Sequence, residues 1–178
     1  MIYLIIVLTT LFLCSRGNPI YDNITGIASL PNYRYIVIIF LIFCSYFYAY
    51  KMIKVYQRIP LRNIKVYNFI IFLTAIIMSI GSFFPYTTNG YDICSKIHVY
   101  SSMFGCISFL TLLFIYTRYL SVYNLKLYLK IHWFYDVGLQ FLFILFIVFT
   151  RVNGYIEILY SIIVGTYLYL IEKNWKKL

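Results

Sequence analysis

Apolar and polar residues alternate along this chain in long blocks. Six apolar runs, separated by short polar connectors, cover residues 1–14, 35–50, 66–84, 97–117, 131–150 and 152–171. A helix of about 20 residues rises about 30 Å, which is the thickness of the hydrocarbon core of a bilayer. The runs are continuously apolar, whereas the strands of a membrane barrel would alternate between the two faces. The pattern predicts an all-α fold, a polytopic transmembrane helical bundle of about six spans, forming one domain over residues 1–178.

The composition excludes a water-soluble protein. Hydrophobic residues make up 63% of the chain, charged residues only 11%, and the mean hydropathy is +0.84. Soluble domains carry roughly 25% charged residues, which they need to cover their surface. We therefore expect an integral, multi-pass membrane protein surrounded by lipid.

The first run is shorter than the others and has two interpretations. Its 14 residues, Met1 to Cys14, rise only about 21 Å as a helix. A signal peptide would carry Lys or Arg before the apolar run and a cleavage site of small residues after it, and this run has neither. A short or tilted first span is the favoured interpretation. The signal-sequence alternative would reduce the number of spans to five.

The basic residues lie in the connectors and indicate an orientation. The formal net charge is +10, and eleven of the fifteen Lys and Arg residues lie in residues 51–65, 118–130 and 172–178. The other four lie in the alternate connectors. Because Lys and Arg are retained on the cytoplasmic side, both termini should be cytoplasmic, and we expect the plasma membrane as the location. Short clusters between spans do not form the basic face that nucleic acid requires, so we expect no nucleic-acid partner.

Ionisable residues inside or beside the spans are the first candidates for function, since each costs about 2.5 to 3.5 kcal/mol at the centre of a span. His98 opens the fourth span and Glu157 lies early in the sixth, at similar depth near the outer face. Asp92, Arg34 and Arg151 lie in the adjoining outer connectors. These five residues are the predicted outer polar pocket. The structural alternative is that Glu157 pairs with His98 or Arg151 only to hold helices together.

A second, weaker candidate is the pair His132 and Asp136, which are four residues apart and share a helix face. Two ligands without a third make a poor metal site, so pairing within the helix is favoured and neither a metal nor a cofactor is expected. The four cysteines show no metal spacing. A disulfide between Cys14 and Cys94, which both fall towards the outer side, is left open.

Several short motifs occur in the same order as in a known group of membrane proteins. They are Pro19-Ile-Tyr-Asp22, Arg34, Gly81-Ser-Phe-Phe-Pro85, His98, Phe104-Gly105 and Glu157. In these the chain resembles the DRAM/Sfk-like group of six-span proteins and related uncharacterised bacterial membrane families. The resemblance implies a six-helix bundle with a polar outer site that involves His98 and Glu157, and a role in handling or trafficking membrane lipids.

Three functional hypotheses follow. The first is a protein without enzymatic activity that binds a membrane lipid, another membrane protein or a second copy of itself through the outer polar pocket. The second is a membrane-embedded hydrolase or transferase of lipid head groups, in which His98 is the general base and Glu157 orients it. The third is a small transporter or an accessory subunit of a transporter or immunity system. The sequence does not decide whether the protein is an enzyme.

The orientation is testable with reporters fused after residue 178. A fluorescent protein that folds only in the cytoplasm should be bright there, and alkaline phosphatase, active only outside, should be inactive, because the C terminus is predicted to be inside. The reverse pair of signals would invert the predicted orientation.

Overall fold

The computed structural model describes residues 1–84 and 92–175. Every regular element in these two ranges is a helix. The helices are α1 (Ile2–Cys14), α2 (Ile24–Ile27), α3 (Arg34–Tyr56), α4 (Ile64–Phe83), α5 (Ile93–Tyr123), α6 (Leu125–Phe149) and α7 (Gly154–Trp175).

The helices from α3 to α7 are each long and apolar enough to cross a membrane. They contain 20 to 31 residues, and their most apolar stretches have mean hydropathies of 1.5 to 2.0. With the shorter apolar helix α1, this architecture agrees with the predicted all-α transmembrane bundle of about six spans. The protein is therefore a multi-pass membrane protein.

Several helices are longer than the apolar runs that predict them. The second run covers residues 35–50, but α3 continues to Tyr56, and the fourth covers residues 97–117, but α5 extends from Ile93 to Tyr123. Hydropathy marks only the part of a helix that suits lipid. Lys51 and Lys54 end the apolar run without ending the helix, because Lys is a good helix former whose ammonium group reaches the membrane surface along the chain of its methylenes.

Short polar residues begin several of these helices. The first backbone N–H groups of a helix have no partner within it, and an Asn or Asp three residues earlier can accept a hydrogen bond from one of them. The carboxamide of Asn124 accepts such a bond from Leu127 N at 3.0 Å. The same arrangement recurs at the starts of α2, α5 and α7, with Asn23, Asp92 and Asn153 as the caps.

The chain folds into two compact units. Unit 1 comprises Met1–Ile27 and the chain from Leu120 onward, and unit 2 comprises Ala28–Tyr119. In unit 1, α7 packs against both α1 and α6. Half of the apolar stretch of α7 is buried, compared with 17% for α6. Thus α7 is the central helix of its unit, whereas α6 exposes most of its surface.

The partners of α7 both run antiparallel to it. Along α1, the Tyr3 hydroxyl donates to Glu172 Oε2 at 3.0 Å, and the Thr10 and Ser161 hydroxyl oxygens are 3.4 Å apart. Further along, the Cys14 thiol lies 3.7 Å from the carbonyl oxygen of Gly154. The three contacts follow opposite directions on the two helices, so the N-terminal start of α1 lies beside the C-terminal end of α7.

Small residues allow close helix packing in both units. In unit 1, the backbone of Gly138 on α6 approaches Ile163 on α7, and a Cβ added there would lie 2.9 Å from Ile163 Cγ1. In unit 2, Gly81 on α4 faces Ser101 on α5, and Gly105 on α5 faces Met78 on α4. Close approach through small residues is a principal source of helix association in membranes, where lipid is as apolar as the side chains.

Tyrosines pack together at the end of unit 2 where α3 ends and α4 begins. Tyr56 of α3 donates a hydrogen bond to Leu112 O of α5 at 2.6 Å, and its ring stacks on Tyr67 with centroids 5.1 Å apart. The hydroxyl oxygens of Tyr67 and Tyr119 are 2.9 Å apart and share a hydrogen bond. These interactions join α3, α4 and α5 beside the 51–65 segment, which carries five basic residues.

Several buried hydroxyl groups donate hydrogen bonds to backbone carbonyl groups of their own helices. Thr74 Oγ1, for example, donates to Ile70 O at 2.8 Å, one turn earlier. Thr10, Ser45, Ser79 and Thr117 make the same type of bond. Without water in the hydrocarbon core, such a bond is the nearest way to avoid an unsatisfied hydroxyl.

The close approach at Gly138 gives a stability prediction. Gly138→Val should lower the free energy of unfolding by about 1 to 3 kcal/mol, because the added methyl groups overlap Ile163. SDS titration in mixed micelles measures the change. Adding Ile163→Ala should recover at least about 0.5 kcal/mol relative to the sum of the two single changes, since both variants act on one contact. Strict additivity would show that this contact does not limit the packing.

Candidate functional site

One end of unit 1 is built where the segment between α1 and α2 meets the start of α7. Gly154 N donates to Asp22 O at 2.8 Å, and the Asn153 carboxamide donates to Ile20 O at 3.3 Å. A Cβ on Gly154 would lie 3.1 Å from the backbone of Pro19, so glycine permits this approach of two backbones. The segment is therefore attached to α7 by backbone groups, and it holds the side chains considered next.

Glu157, a member of the predicted pocket, anchors this segment. Its side chain is half-buried, and Oε2 accepts a 2.5 Å hydrogen bond from the backbone N–H of Ile24. Ile24 is the first residue of α2, where an N–H group lacks a partner within the helix and a negative charge is favoured. The carboxylate of Glu157 thus has a structural partner in its own unit.

The other carboxylate at this end of unit 1 is also bound to backbone. Asp22 Oδ2 accepts a 2.8 Å hydrogen bond from Asn18 N, and the backbone N–H of Asp22 donates to Asn18 O at 2.7 Å. This double link closes the turn after α1. Both acidic side chains are therefore directed at N–H groups of the polypeptide.

The arginines at the same end differ from the acids. Arg151 is exposed, its guanidinium carbon lies 5.1 Å from the centre of the Tyr21 ring, and one N–H donates to Ile20 O at 3.5 Å. Arg16 follows the end of α1, and its guanidinium lies 4.1 Å from the centre of the Phe12 ring. Neither guanidinium has a carboxylate partner among residues 1–84 and 92–175. Each is oriented by an aromatic face while its remaining donors stay available.

A tight turn positions Arg151. Thr150 ends α6 with a φ of 53°, in the left-handed region that a β-branched residue seldom adopts. Its N–H still donates to Phe146 O at 2.9 Å, which closes the helix. Asn153 then caps α7 and is fully buried. Only two residues, Arg151 and Val152, separate these fixed points.

His98 lies in unit 2 and is buried, with 4% of its surface exposed. Its Nδ1 is 2.8 Å from Gly81 O, in the last turn of α4. The final carbonyl groups of a helix lack partners within it, so a ring N–H of His98 can satisfy one of them. This contact joins the start of α5 to the end of α4.

Asp92 and Arg34 begin helices of unit 2. Asp92 Oδ1 accepts from Ser95 N at 2.9 Å, and Oδ2 accepts from the Ser95 hydroxyl at 2.7 Å, which caps α5. Arg34 is the first residue of α3 and is exposed. Its side chain makes no hydrogen bond, ion pair or ring contact with any residue in the described ranges.

The five residues of the predicted pocket thus divide between the units. Glu157 and Arg151 belong to unit 1, and His98, Asp92 and Arg34 belong to unit 2. Four of them, all except Arg34, have backbone groups of their own unit as hydrogen-bond partners. Their convergence on one pocket stays a prediction, as does the general-base role of His98. Pro85, the last residue of one resemblance motif, lies outside the described residues.

The pair His132 and Asp136 lies on α6. His132 Nδ1 is 2.8 Å from Tyr128 O, and the two rings stack with centroids 4.4 Å apart. No group of three His, Cys, Asp or Glu side chains that could hold a metal occurs in the described parts of the chain. Cys14 and Cys94 are both free thiols.

Two residues that organise this end of unit 1 did not emerge from the sequence. Asn153 is an uncharged residue in a short connector, although its position three residues before Ile156 is the spacing of an N-cap. Arg16 was counted only as a connector charge, although it lies four residues after Phe12, about one helical turn further along the chain. Capping and i, i+4 rules applied to the connectors would have identified both.

Comparisons of the chain with protein-family models, with curated proteins and with solved structures found no match.

The hydrogen bond of Glu157 is testable by exchange of backbone amides. Glu157→Ala should leave Ile24 N without its acceptor, at a cost of about 1 to 3 kcal/mol, and should speed exchange in residues 22–27. Glu157→Gln keeps an acceptor oxygen and should have a smaller effect. Peptides of unit 2 serve as the internal reference. Unchanged exchange in Glu157→Ala would contradict the anchoring role.

Proposed function

We propose that this protein binds the phosphate head group of a membrane lipid at the end of unit 1 that carries Arg16 and Arg151. In this proposal it is a plasma-membrane protein without enzymatic activity, and this end faces the outer leaflet. The proposal narrows the first of the three hypotheses to one chemical class of ligand. It keeps Arg151 from the predicted pocket and adds Arg16.

The observation that carries the proposal is that the carboxylates at this end have backbone partners, whereas the guanidiniums have no carboxylate partner in the part of the chain that the structure describes. The carboxylates of Asp22 and Glu157 are bound to backbone N–H groups, whereas the two guanidiniums lack carboxylate partners in the described residues. The two guanidiniums therefore keep N–H donors available for an anionic group from outside the protein. A guanidinium presents planar pairs of N–H donors that match phosphate oxygens, and its charge strengthens each hydrogen bond.

The placement of the two arginines suits a lipid ligand. Arg16 directly follows α1 and Arg151 lies between α6 and α7, so both occur where apolar helices end. Tyr21, beside Arg151, is 65% exposed. Arginine and exposed tyrosine at helix ends are typical of the head-group region, where an apolar body meets lipid and a polar tip meets water.

The assignment to the outer leaflet depends on the predicted orientation. Tyr3 and Glu172 are hydrogen-bonded, so the start of α1 and the end of α7 lie at one end of unit 1. The positive-inside rule favours the cytoplasm for that end. Arg16 and Arg151, at the opposite ends of their helices, would then face outside. The resemblance to the DRAM/Sfk-like group, with its link to lipid handling, points to the same class of ligand.

The proposal is tested by titrating phosphatidylglycerol into the detergent-solubilised protein and counting bound lipids by native mass spectrometry. The Arg16→Gln/Arg151→Gln variant should weaken binding about tenfold or more, because each charge-assisted hydrogen bond to phosphate contributes about 1.5 to 3 kcal/mol. Diacylglycerol, which lacks phosphate, should bind equally to the parent and the variant.

Arg34→Gln is the matched control. It removes one positive charge from a residue predicted to lie on the same membrane face, but Arg34 is not held by an aromatic ring or a carbonyl group in the described ranges. Its effect should be less than about threefold, as expected for an exposed charge. Equal phosphatidylglycerol binding by the parent and the double variant, or an equal loss in Arg34→Gln, would overturn the proposal.

A further inference from the structure

One uncharged polar side chain lies on the lipid-facing surface of α6. Gln140 is exposed, and it is nine residues, about 14 Å, before the last residue of the helix, Phe149. This depth is close to the middle of a hydrocarbon core of about 30 Å. Its neighbours one turn before and after, Val137 and Ile144, are apolar and exposed.

The carboxamide of Gln140 has no hydrogen-bond partner among the described residues. It offers two N–H donors and one acceptor oxygen. Lipid tails satisfy none of them, and the hydrocarbon core holds no water to replace them. A buried hydroxyl such as that of Thr74 avoids this problem by bonding to the previous turn of its own helix, but Gln140 makes no such bond. The donors and the acceptor of Gln140 are therefore left for a partner beyond the described residues.

The surface around Gln140 is open and mainly apolar. A shallow depression on α6 is lined by Leu139, Gln140, Phe143 and Ile144. Phe143 is 69% exposed and Ile144 is 54% exposed, so both side chains lie next to the carboxamide and are largely uncovered. Since α6 is the least buried of the long helices, this face is open to a neighbour in the membrane.

We propose that this face of α6 is the interface of a homodimer, in which Gln140 of each chain hydrogen-bonds to Gln140 of the other. A carboxamide is both donor and acceptor, so two copies related by a two-fold axis satisfy each other with one reciprocal pair of N–H···O bonds. A two-fold interface requires such a self-complementary patch. The apolar side chains of Val137 and Ile144, one turn before and after Gln140, would meet their own copies across such an axis. Asp136, four residues before Gln140, lies on the same side of α6 and is half-buried. Interhelical bonds of Gln side chains are an established source of helix association in membranes.

The experiment counts subunits of the full-length, fluorescently labelled protein in large phosphatidylcholine vesicles by single-molecule photobleaching, over a range of protein-to-lipid ratios. The parent should pass from one-step to two-step bleaching as its density rises. Gln140→Leu should need about tenfold higher density for the same dimer fraction. Gln140→Asn, which keeps a shorter carboxamide, should lie between the two.

Phe141→Leu is the control, because Phe141 is also exposed on α6 but points about 100° away around the helix. It should dimerise like the parent. Circular dichroism shows whether each variant keeps its helices. A parent that stays monomeric at every density, as expected if this face binds a different membrane protein, would overturn the proposal. So would equal dimerisation of the parent and Gln140→Leu.

A photo-reactive residue provides a second measurement that does not depend on removing Gln140. Placed at Phe143, beside the carboxamide, it should cross-link two copies of the chain in the same vesicles. Placed at Ile39, which is 67% exposed on α3, it should react with lipid. Cross-linked dimers from Ile39 but not from Phe143 would assign the interface elsewhere and contradict the proposal.

Discussion

The absence of water from the hydrocarbon core is the constraint on which this structure depends. Every backbone N–H and C=O group at that depth needs a partner inside the protein, and only helices supply all of them within one segment. The same constraint acts on side chains. The hydroxyl groups of Thr10, Ser45 and Thr74 donate hydrogen bonds to carbonyl groups one turn earlier in their own helices. The carboxamides of Asn124 and Asn153 accept hydrogen bonds from N–H groups at the starts of α6 and α7.

A related constraint explains why several ionisable side chains near the ends of the helices are hydrogen-bonded to backbone groups. Glu157 accepts from the first N–H of α2, Asp92 caps α5, and His98 contacts a carbonyl group in the last turn of α4. Helix ends near a membrane surface have orphan backbone groups, and a nearby polar side chain is the closest partner. The guanidiniums of Arg16 and Arg151 remain available because a cation cannot accept from an N–H group and the local carboxylates are already engaged.

Sequence reasoning performed well where one local property decides the outcome. Apolar runs predicted the approximate positions of the five long helices, because the transfer of a peptide segment into lipid depends on its own composition. It was less exact at helix ends. The extension of α3 past Lys51 to Tyr56 and of α5 from Ile93 to Tyr123 follows from helix propensity and capping, to which a hydropathy pattern is insensitive. It also overlooked Gln140, since a single uncharged residue barely alters the hydropathy of a run.

The sequence by itself determined that this is an all-α membrane protein, that its basic residues concentrate in alternate connectors, and which ionisable residues lie near the spans. Only the tertiary structure decided what those residues contact. Glu157 and Ile24 are far apart in the chain, and the carboxylate reaches that N–H because α7 lies beside the segment after α1. The exposure of Gln140 likewise depends on which face of α6 packs on α7, through Gly138 and Ile163. Whether a segment enters the membrane depends on its own composition. Which partner a polar group finds depends on how segments that are distant in the sequence pack together.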